Sequence, residues 1–217
     1  MLDLDNDSFA MQYNFINNNS NPLGSKAQLD HAQDRSSYSS IHQDFHPDAR
    51  TFLEKFGYHD IFLVDIKSGD IVYSVYKEID FSTSLLDGPY ANTGAGQVFR
   101  DATTLNQGEV AFSDFAICRP SYDTPASFIA SPIFEKGIRT GILMFQLPLN
   151  RITQAMRERA GLGNTGETYL VGEDHLMRSD SFLNPELGSV LTKTVDLALS
   201  GETGIKVVTN FNEALVL

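Results

Sequence analysis

Two apolar runs, Ile61–Ile66 and Ile71–Tyr76, flank the polar stretch Lys67-Ser68-Gly69-Asp70. Their β-branched and aromatic content, with a glycine in the tight polar gap, predicts a hairpin. Ahead of it, "HPDARTFLEKFG" carries helix punctuation: Pro47 suits a first helical turn, Arg50 and Glu54 pair at i, i+4, and Gly57 is a natural stop. A helix is therefore predicted from about Ser39 to Gly57. About the first 35 residues are polar and Asn-rich, and "NNNSNPLGS" (17–25) breaks any helix there. Beyond the hairpin, 78–94 is turn-rich and 95–105 reads as a short helix. Segments 108–117, 126–135 and 139–149 read as strands, the last two joined by Lys136-Gly137. Residues 150–161 place Ile152, Ala155 and Met156 at helical spacing before a glycine stop.

The order then restarts. "ETYLV" (167–171), the turn "GEDH" and "LMRS" (176–179) form a weaker hairpin phrase. A loop with Pro185, a helix over 189–201 and strands over 204–211 and 214–217 follow. "TLNQGEVAFSDF" and "ALSGETGIKVVTNF" both run from the end of a short helix through a glycine turn into a strand ending in Phe. This supports an α+β chain of two copies of one unit, with strands adjacent in sequence and hence antiparallel sheets. The alternative is unrelated hairpins within one domain. The first copy continues past Phe115 through two more strands to about Leu149, whereas the second ends six residues after Phe211. The expectation is an incomplete second unit, since an antiparallel sheet lacking its last strands leaves an open edge.

Composition narrows the partners. A net charge of −12 argues against nucleic acid and against an anionic membrane surface, both of which are bound through Lys and Arg. With 41% hydrophobic residues in 217, the chain can bury a substantial core. The single cysteine, Cys118, excludes an internal disulfide and a cysteine-based zinc site. No stretch has the roughly 20 apolar residues of a membrane span, and the acidic start does not read as a signal peptide.

Little conventional chemistry is present. Gly161-Leu162-Gly163-Asn164-Thr165-Gly166 matches G-x-G-x-x-G, but it follows a helix and precedes a strand, the reverse of a dinucleotide-binding loop. It reads as a helix stop and connector. His42 and His46 lie four apart, without the glutamate of a zinc helix and interrupted by Pro47, and read as a solvated pair. No metal or other cofactor is called for. Asp65, Asp70, Asp80, Asp87, Asp101 and Asp123 read as turn carboxylates. Asp114 differs, lying within the predicted strand 108–117. Aromatic residues mixed with a few polar ones between the hairpin and the last strands suit a binding pocket better than an acid–base pair.

"FGYHDIFLVDIKSGDIVYSVYKEIDFSTSLLDGPY", "FIASPIFEKGIRTGILMFQLPLNRI" and above all "RAGLGNTGETYLVGEDHLMRSDS" resemble the double-Cache (tandem PAS-like) extracytoplasmic sensor domains. These belong to bacterial transmembrane histidine kinases, methyl-accepting chemotaxis receptors and some cyclases. The resemblance covers nearly the whole chain from about residue 20. It implies an N-terminal helical segment (1–57) rising from the membrane, a membrane-distal PAS-like module (58–160) and a membrane-proximal one (161–217). It also implies inner-membrane attachment through spans outside this chain, a periplasmic location and a homodimer as the expected assembly. The ligand is expected in the distal module, between its sheet and a cover over about 79–103. The amino-acid-binding branch carries an Arg-x-Trp cluster in that cover and an Asp on the last distal strand, where arginine grips a carboxylate and aspartate an ammonium. Here the cover reads "LLDGPYANTGAGQVF" and the last-strand position looks like Gln146, which disfavours an α-amino acid.

The expectation is thus a non-catalytic small-molecule sensor, with Tyr73, Phe81, Tyr90, Asp114, Tyr122, Ser131 and Gln146 as candidate ligand-binding residues. Strand parity is not set by the sequence. A soluble α/β enzyme using Asp114 with a histidine, and a non-binding dimerisation spacer, are the alternatives.

Overall fold

The computed structural model describes residues 5–184, 188–205, 208–209 and 215–216 of the chain. It divides into two compact units, before and after the Pro148–Leu149 junction.

In the first unit, helix α1 (Asn6–Gln12) is capped by Asp5, whose carboxylate accepts from Ser8 N at 2.7 Å, and runs into a π-helical turn, Tyr13–Asn17. Composition alone marked this stretch only as polar and Asn-rich. Its anchor is Phe15, fully buried in the core, with Asn19 Nδ2 donating to the Phe15 carbonyl at 3.0 Å. Helix α2 (Ser37–Phe56) starts at Ser36, whose hydroxyl accepts from Ser39 N, and stops at Gly57 in the left-handed region. It passes straight through Pro47, which was expected to begin a helical turn. Burial of His42, His46, Ala49 and Leu53 on either side outweighs the backbone hydrogen bond that proline removes.

The sheet comprises β1 (Asp60–Asp65), β2 (Ile71–Ser74), β3 (Ala111–Phe112), β4 (Ala116–Cys118), β5 (Thr124–Glu135) and β6 (Ile138–Pro148). All pairings are antiparallel, in the order β2-β1-β6-β5-β3, with β4 also on β5. The strand expected over 108–117 is broken. Ala111 pairs with Ala130 and Ala116 with Ala126, while between them the Ser113 hydroxyl accepts from Phe128 N at 2.9 Å. A serine side chain competing for a ladder donor interrupts a strand in this way. Taken as one interrupted edge, β3 and β4 give a five-strand PAS-like order beneath a covering helix, α3 (Gly94–Ala102).

Both faces of this sheet are covered. Ile61, Tyr73 and Val75, with Leu143 and Phe145, pack with Ala49 and Leu53 of α2. Phe62, Val64, Ile71, Phe128, Ile142 and Met144 pack with Val98, Phe99 and Ala102 of α3. Burial on both sides explains why the first strand reads as an unbroken apolar run rather than an alternation. The β1–β2 turn depends on Gly69, at φ +73°, where a Cβ would lie 2.9 Å from Leu86 N. Gly69→Ala is expected to lower stability by roughly 1–3 kcal/mol in urea unfolding, from backbone strain and steric overlap together.

The second unit contains α4 (Leu149–Met156), shorter than the expected 150–161, and α5 (Lys193–Leu199), capped by Thr192. The hairpin expected over 167–179 is reduced to an isolated bridge between Val171 and Met177. Glu167 anchors the loop that follows, its Oε2 accepting from Ser181 Oγ, Phe182 N and Leu183 N. The short strands β7 (Val208–Thr209) and β8 (Leu215–Val216) pair antiparallel. The rest of the strands expected in 206–217, and Pro185 of the expected loop, lie outside the described residues.

Candidate functional site

The segment leaving β2, Val75–Asp80, carries an unusual density of buried charge. It leads from the α2 side, where Val75 and Tyr76 pack, to the α3 side, where the next residue, Phe81, is buried. Asp60, fully buried at the start of β1, accepts from Ser74 Oγ at 2.7 Å and from the amides of Ile61, Val75 and Tyr76. Burial still raises its carboxyl above the usual range, because removal from water disfavours the charged form.

Lys77 is 2% exposed, and its Nζ donates to the Ser74 carbonyl. Its ammonium lies 4.6 Å from the Tyr73 ring centre, 5.1 Å from Phe81 and 5.7 Å from Phe15. The three rings come from the α2 face, the α3 face and the N-terminal segment, and together they hold the cation by its attraction to their π faces. Burial pulls the Lys77 ammonium below the usual lysine range, and Asp60 opposes that pull. The residue also sits at φ +56°, a conformation that a non-glycine residue holds only when its surroundings impose it.

Glu78 accepts from Ser121 Oγ at 2.7 Å, and Gln146 Nε2 donates to the same hydroxyl at 2.9 Å. This chain ties the Arg119–Tyr122 strap to the sheet. Asp80 is 6% exposed, and among the described residues its Oδ1 has no hydrogen-bond partner. Burial first, then Asp60 and Glu78, hold its carboxyl well above the usual range.

Asp80 lines a small cavity of about 20 Å³ under the first turn of α3. Tyr90, Thr93, Gly94 and Ala95 form one wall, Ala126 and Phe128 the sheet side, and the β4 strand with Arg119 and Pro120 the outer side. A second cavity of about 120 Å³ lies between Ile16–Lys26 and residues 76–79, sharing Arg119 and Pro120 with the first.

The seven residues expected to bind ligand are dispersed. Tyr90 lines the α3 cavity and Tyr122, 67% exposed, the second one. Phe81 is buried in the α3-side core and over Lys77. Tyr73 faces α2, its hydroxyl 2.7 Å from His46 Nδ1. Gln146 is buried in the Glu78–Ser121 chain. Ser131 donates to the Glu109 carbonyl, and Asp114, exposed between β3 and β4, accepts from Phe115 N.

His42 and His46 are buried, not solvated, with ring centres 4.2 Å apart. His46 Nε2 meets the Ala27 carbonyl at 2.7 Å, and His42 Nδ1 the Asp30 carbonyl at 2.7 Å. The residues that sequence reasoning passed over are Asp60, Lys77, Asp80 and Ser121. The available signal was "YKEID", where three charges follow directly on an apolar strand.

Among the described residues no group of His, Cys, Asp and Glu is arranged to hold a metal ion, and no helix is long and apolar enough to cross a membrane. No family model matches the chain, and no curated protein matches it. Solved structures do align. The ligand-binding domain of the Pseudomonas fluorescens chemoreceptor CtaA, in complex with L-isoleucine, shares 12% identity over 84% of this chain and 67% of its own, at TM-score 0.45. The sensory domain of a Campylobacter jejuni chemoreceptor shares 12% over 83% and 65%, at TM-score 0.48. The sensor domain of the V. cholerae histidine kinase DctB shares 15% over 87% and 67%, at TM-score 0.46. The chain thus spans about two thirds of the length of these domains.

Proposed function

We propose that the chain is the extracytoplasmic, small-molecule-sensing part of a transmembrane signalling receptor, a sensor histidine kinase in the first place and a chemoreceptor in the second. The observation that carries this reading is the cavity beneath α3, with largely apolar walls and the buried carboxylate residue Asp80 in its lining. Such a combination suits reversible capture of a small molecule: apolar walls supply affinity and one placed polar group fixes orientation. The sequence resemblance to double-Cache domains supports the same reading, with 1–57 as the helical entry, 58–160 as the distal module and 161–217 as the proximal one. The module binds without catalysis. Asp114, the proposed base of the enzyme alternative, is exposed and already accepts from Phe115 N.

Signalling is a population shift. A ligand under α3 moves the Lys77–Asp80 segment, whose aromatic cage joins the two faces of the sheet, and so biases the packing of α2. The receptor works as a homodimer through α2, which exposes Ile41, Phe45, Phe52 and Phe56. At 3.6 residues per turn these fall within a stripe roughly 60° wide. Ile41→Glu, at a position 69% exposed, is expected to leave the fold intact and shift sedimentation equilibrium toward monomer. A wild-type chain that is already monomeric at high concentration removes the dimer.

The sensing reading is tested by thermal-shift screening of the whole chain against small carboxylates, amines and purines. A true ligand at about 100 times its Kd adds roughly 2.7 kcal/mol and raises Tm by several degrees. If no class of compound moves Tm, the spacer reading replaces the sensor.

A further inference from the structure

We propose that the second cavity, between the N-terminal segment and the Arg119–Tyr122 strap, is a separate binding site for a small organic monoanion: a monocarboxylate on an apolar or aromatic body. It is distinct from the space between the sheet and α3, although Arg119 and Pro120 line both, and the proposal holds whether or not the α3 cavity takes a ligand. The volume is about 120 Å³, against about 20 Å³ under α3. At about 10–15 Å³ per water-sized group, that is room for roughly eight to twelve such groups. The walls are mainly apolar, with Ile16 and Leu23 from the N-terminal segment, Tyr76 and Ile79 beside the sheet, and Pro120 and Tyr122 from the strap. Leu23 is 74% exposed, Tyr122 67% and Ile79 54%, so three large apolar side chains stand uncovered around one cavity. Such a concentration, unlike scattered surface residues, marks a binding surface.

The polar groups of the lining decide the charge of the ligand. Arg119 is exposed, and among the described residues its guanidinium makes no hydrogen bond or ion pair, which leaves a planar fork suited to a carboxylate. Lys26 is half-buried and spends one of its three donors on the Asn19 carbonyl, at 2.7 Å. The one carboxylate of the lining, Glu78, is already engaged: Oε2 accepts from Ser121 Oγ, and Oε1 faces His59 Nε2 at 3.6 Å. Lys77 also lines the cavity, but its ammonium is held by the Ser74 carbonyl and three rings. The cavity therefore presents two cations with donors to spare, in a chain of net charge −12. A cationic ligand would meet both with no free carboxylate to answer it. Inorganic phosphate would match the charge, but it would lose its hydration against walls that offer it no hydrogen bonds.

The backbone of the lining points the same way. Lys77 sits at φ +56° and Tyr122 at φ +55°, followed by Asp123 at φ +59°. Non-glycine residues hold that region only where their surroundings impose it, and ligand clamps are among the places where such positions collect. Ser121, through Glu78 and Gln146, fastens the strap to the sheet. Arg119 and Tyr122, on either side of that fastening, stay exposed at the cavity. Tyr122 would lie against the apolar body of the ligand while Arg119 engages its carboxylate, with Lys26 adding charge from the N-terminal wall.

The test is isothermal titration of the whole chain with benzoate, phenylacetate and hexanoate. Benzamide and benzylamine serve as neutral and cationic counterparts, and inorganic phosphate as an anion without an apolar body. At least one monocarboxylate is expected to bind, and Arg119→Gln is expected to weaken it about tenfold or more. Because Arg119 lines both cavities, Leu23→Asp and Tyr122→Ala, which touch only the second, locate the ligand. Each is expected to weaken binding about fivefold or more, from lost apolar contact. Both positions are exposed, so both variants should keep the wild-type Tm without ligand, and if one fails to fold the other decides. Monocarboxylate binding unchanged in these variants overturns the proposal and leaves the sensor reading standing, with the ligand elsewhere. Benzamide or benzylamine binding as tightly as benzoate overturns it, as does phosphate binding in place of the monocarboxylates. If none of these probes binds, the second site is lost, while the sensor reading is decided separately by the wider thermal-shift screen.

Discussion

Replacing Phe99 by alanine is expected to lower the stability of the first unit by about 3–5 kcal/mol, the largest single-site effect in this fold. Phe99 is fully buried on α3 and belongs to the core shared with Phe62, Phe128, Ile142 and Met144. The loss combines the transfer free energy of the ring with the cavity left behind, because the sheet cannot collapse into the vacated volume while α2 holds its other face. Urea unfolding at neutral pH measures it, with Val110→Ala as a control at an exposed site expected within about 0.5 kcal/mol. A loss below about 1 kcal/mol for Phe99→Ala would mean that α3 does not cover the sheet as described. The cavity proposed to bind ligand would then lose its roof.

Acidification is expected to produce the second large effect. Burial lowers His42 to about 3 and His46 to about 4, and the Lys77 charge adds to both shifts. In the unfolded chain both titrate near 6.5. Between those values the unfolded state binds more protons than the folded one, so stability falls as pH drops below 6.5. Both rings are nearly inaccessible, so little solvent screening reduces the effect, and the pair is expected to remove several kcal/mol between pH 7 and pH 4. Asp60 and Asp80 act in the other direction. Their folded-state affinities for protons are raised, so acidification relieves them and offsets part of the loss. Urea unfolding from pH 7 to pH 4, with wild type and the His42→Gln, His46→Gln double variant, separates the two contributions. A fall in stability of equal size in both proteins would assign it to groups other than the histidines.

Much of the architecture was legible in local pattern. The hairpin over 61–76 and the strands over 126–135 and 139–149 follow from β-branched runs around tight turns, and the helix over 95–105 from its spacing. These elements depend on interactions between near neighbours, where residue type and order carry the information. The break in 108–117 was not legible, because it turns on the Ser113 hydroxyl meeting Phe128 N, fifteen residues away. Pro47 misled for a similar reason. A proline weakens an isolated helix, but here the helix is held by side chains packed against a sheet that the sequence had not yet placed.

The site shows the same division more sharply. That this chain is α+β, antiparallel and built around an aromatic-rich core was written in its periodicity, since period and propensity are properties of adjacent residues. Which side of the sheet Tyr73 faces, that His42 and His46 are buried against it, and that the turn residue Asp80 is buried, with an oxygen that has no hydrogen-bond partner among the described residues, were settled only by folding. Each depends on strand register and on which surfaces meet. A one-residue change in register would exchange the two faces of β2, and the charge state of a carboxylate depends on how much water the rest of the chain leaves around it.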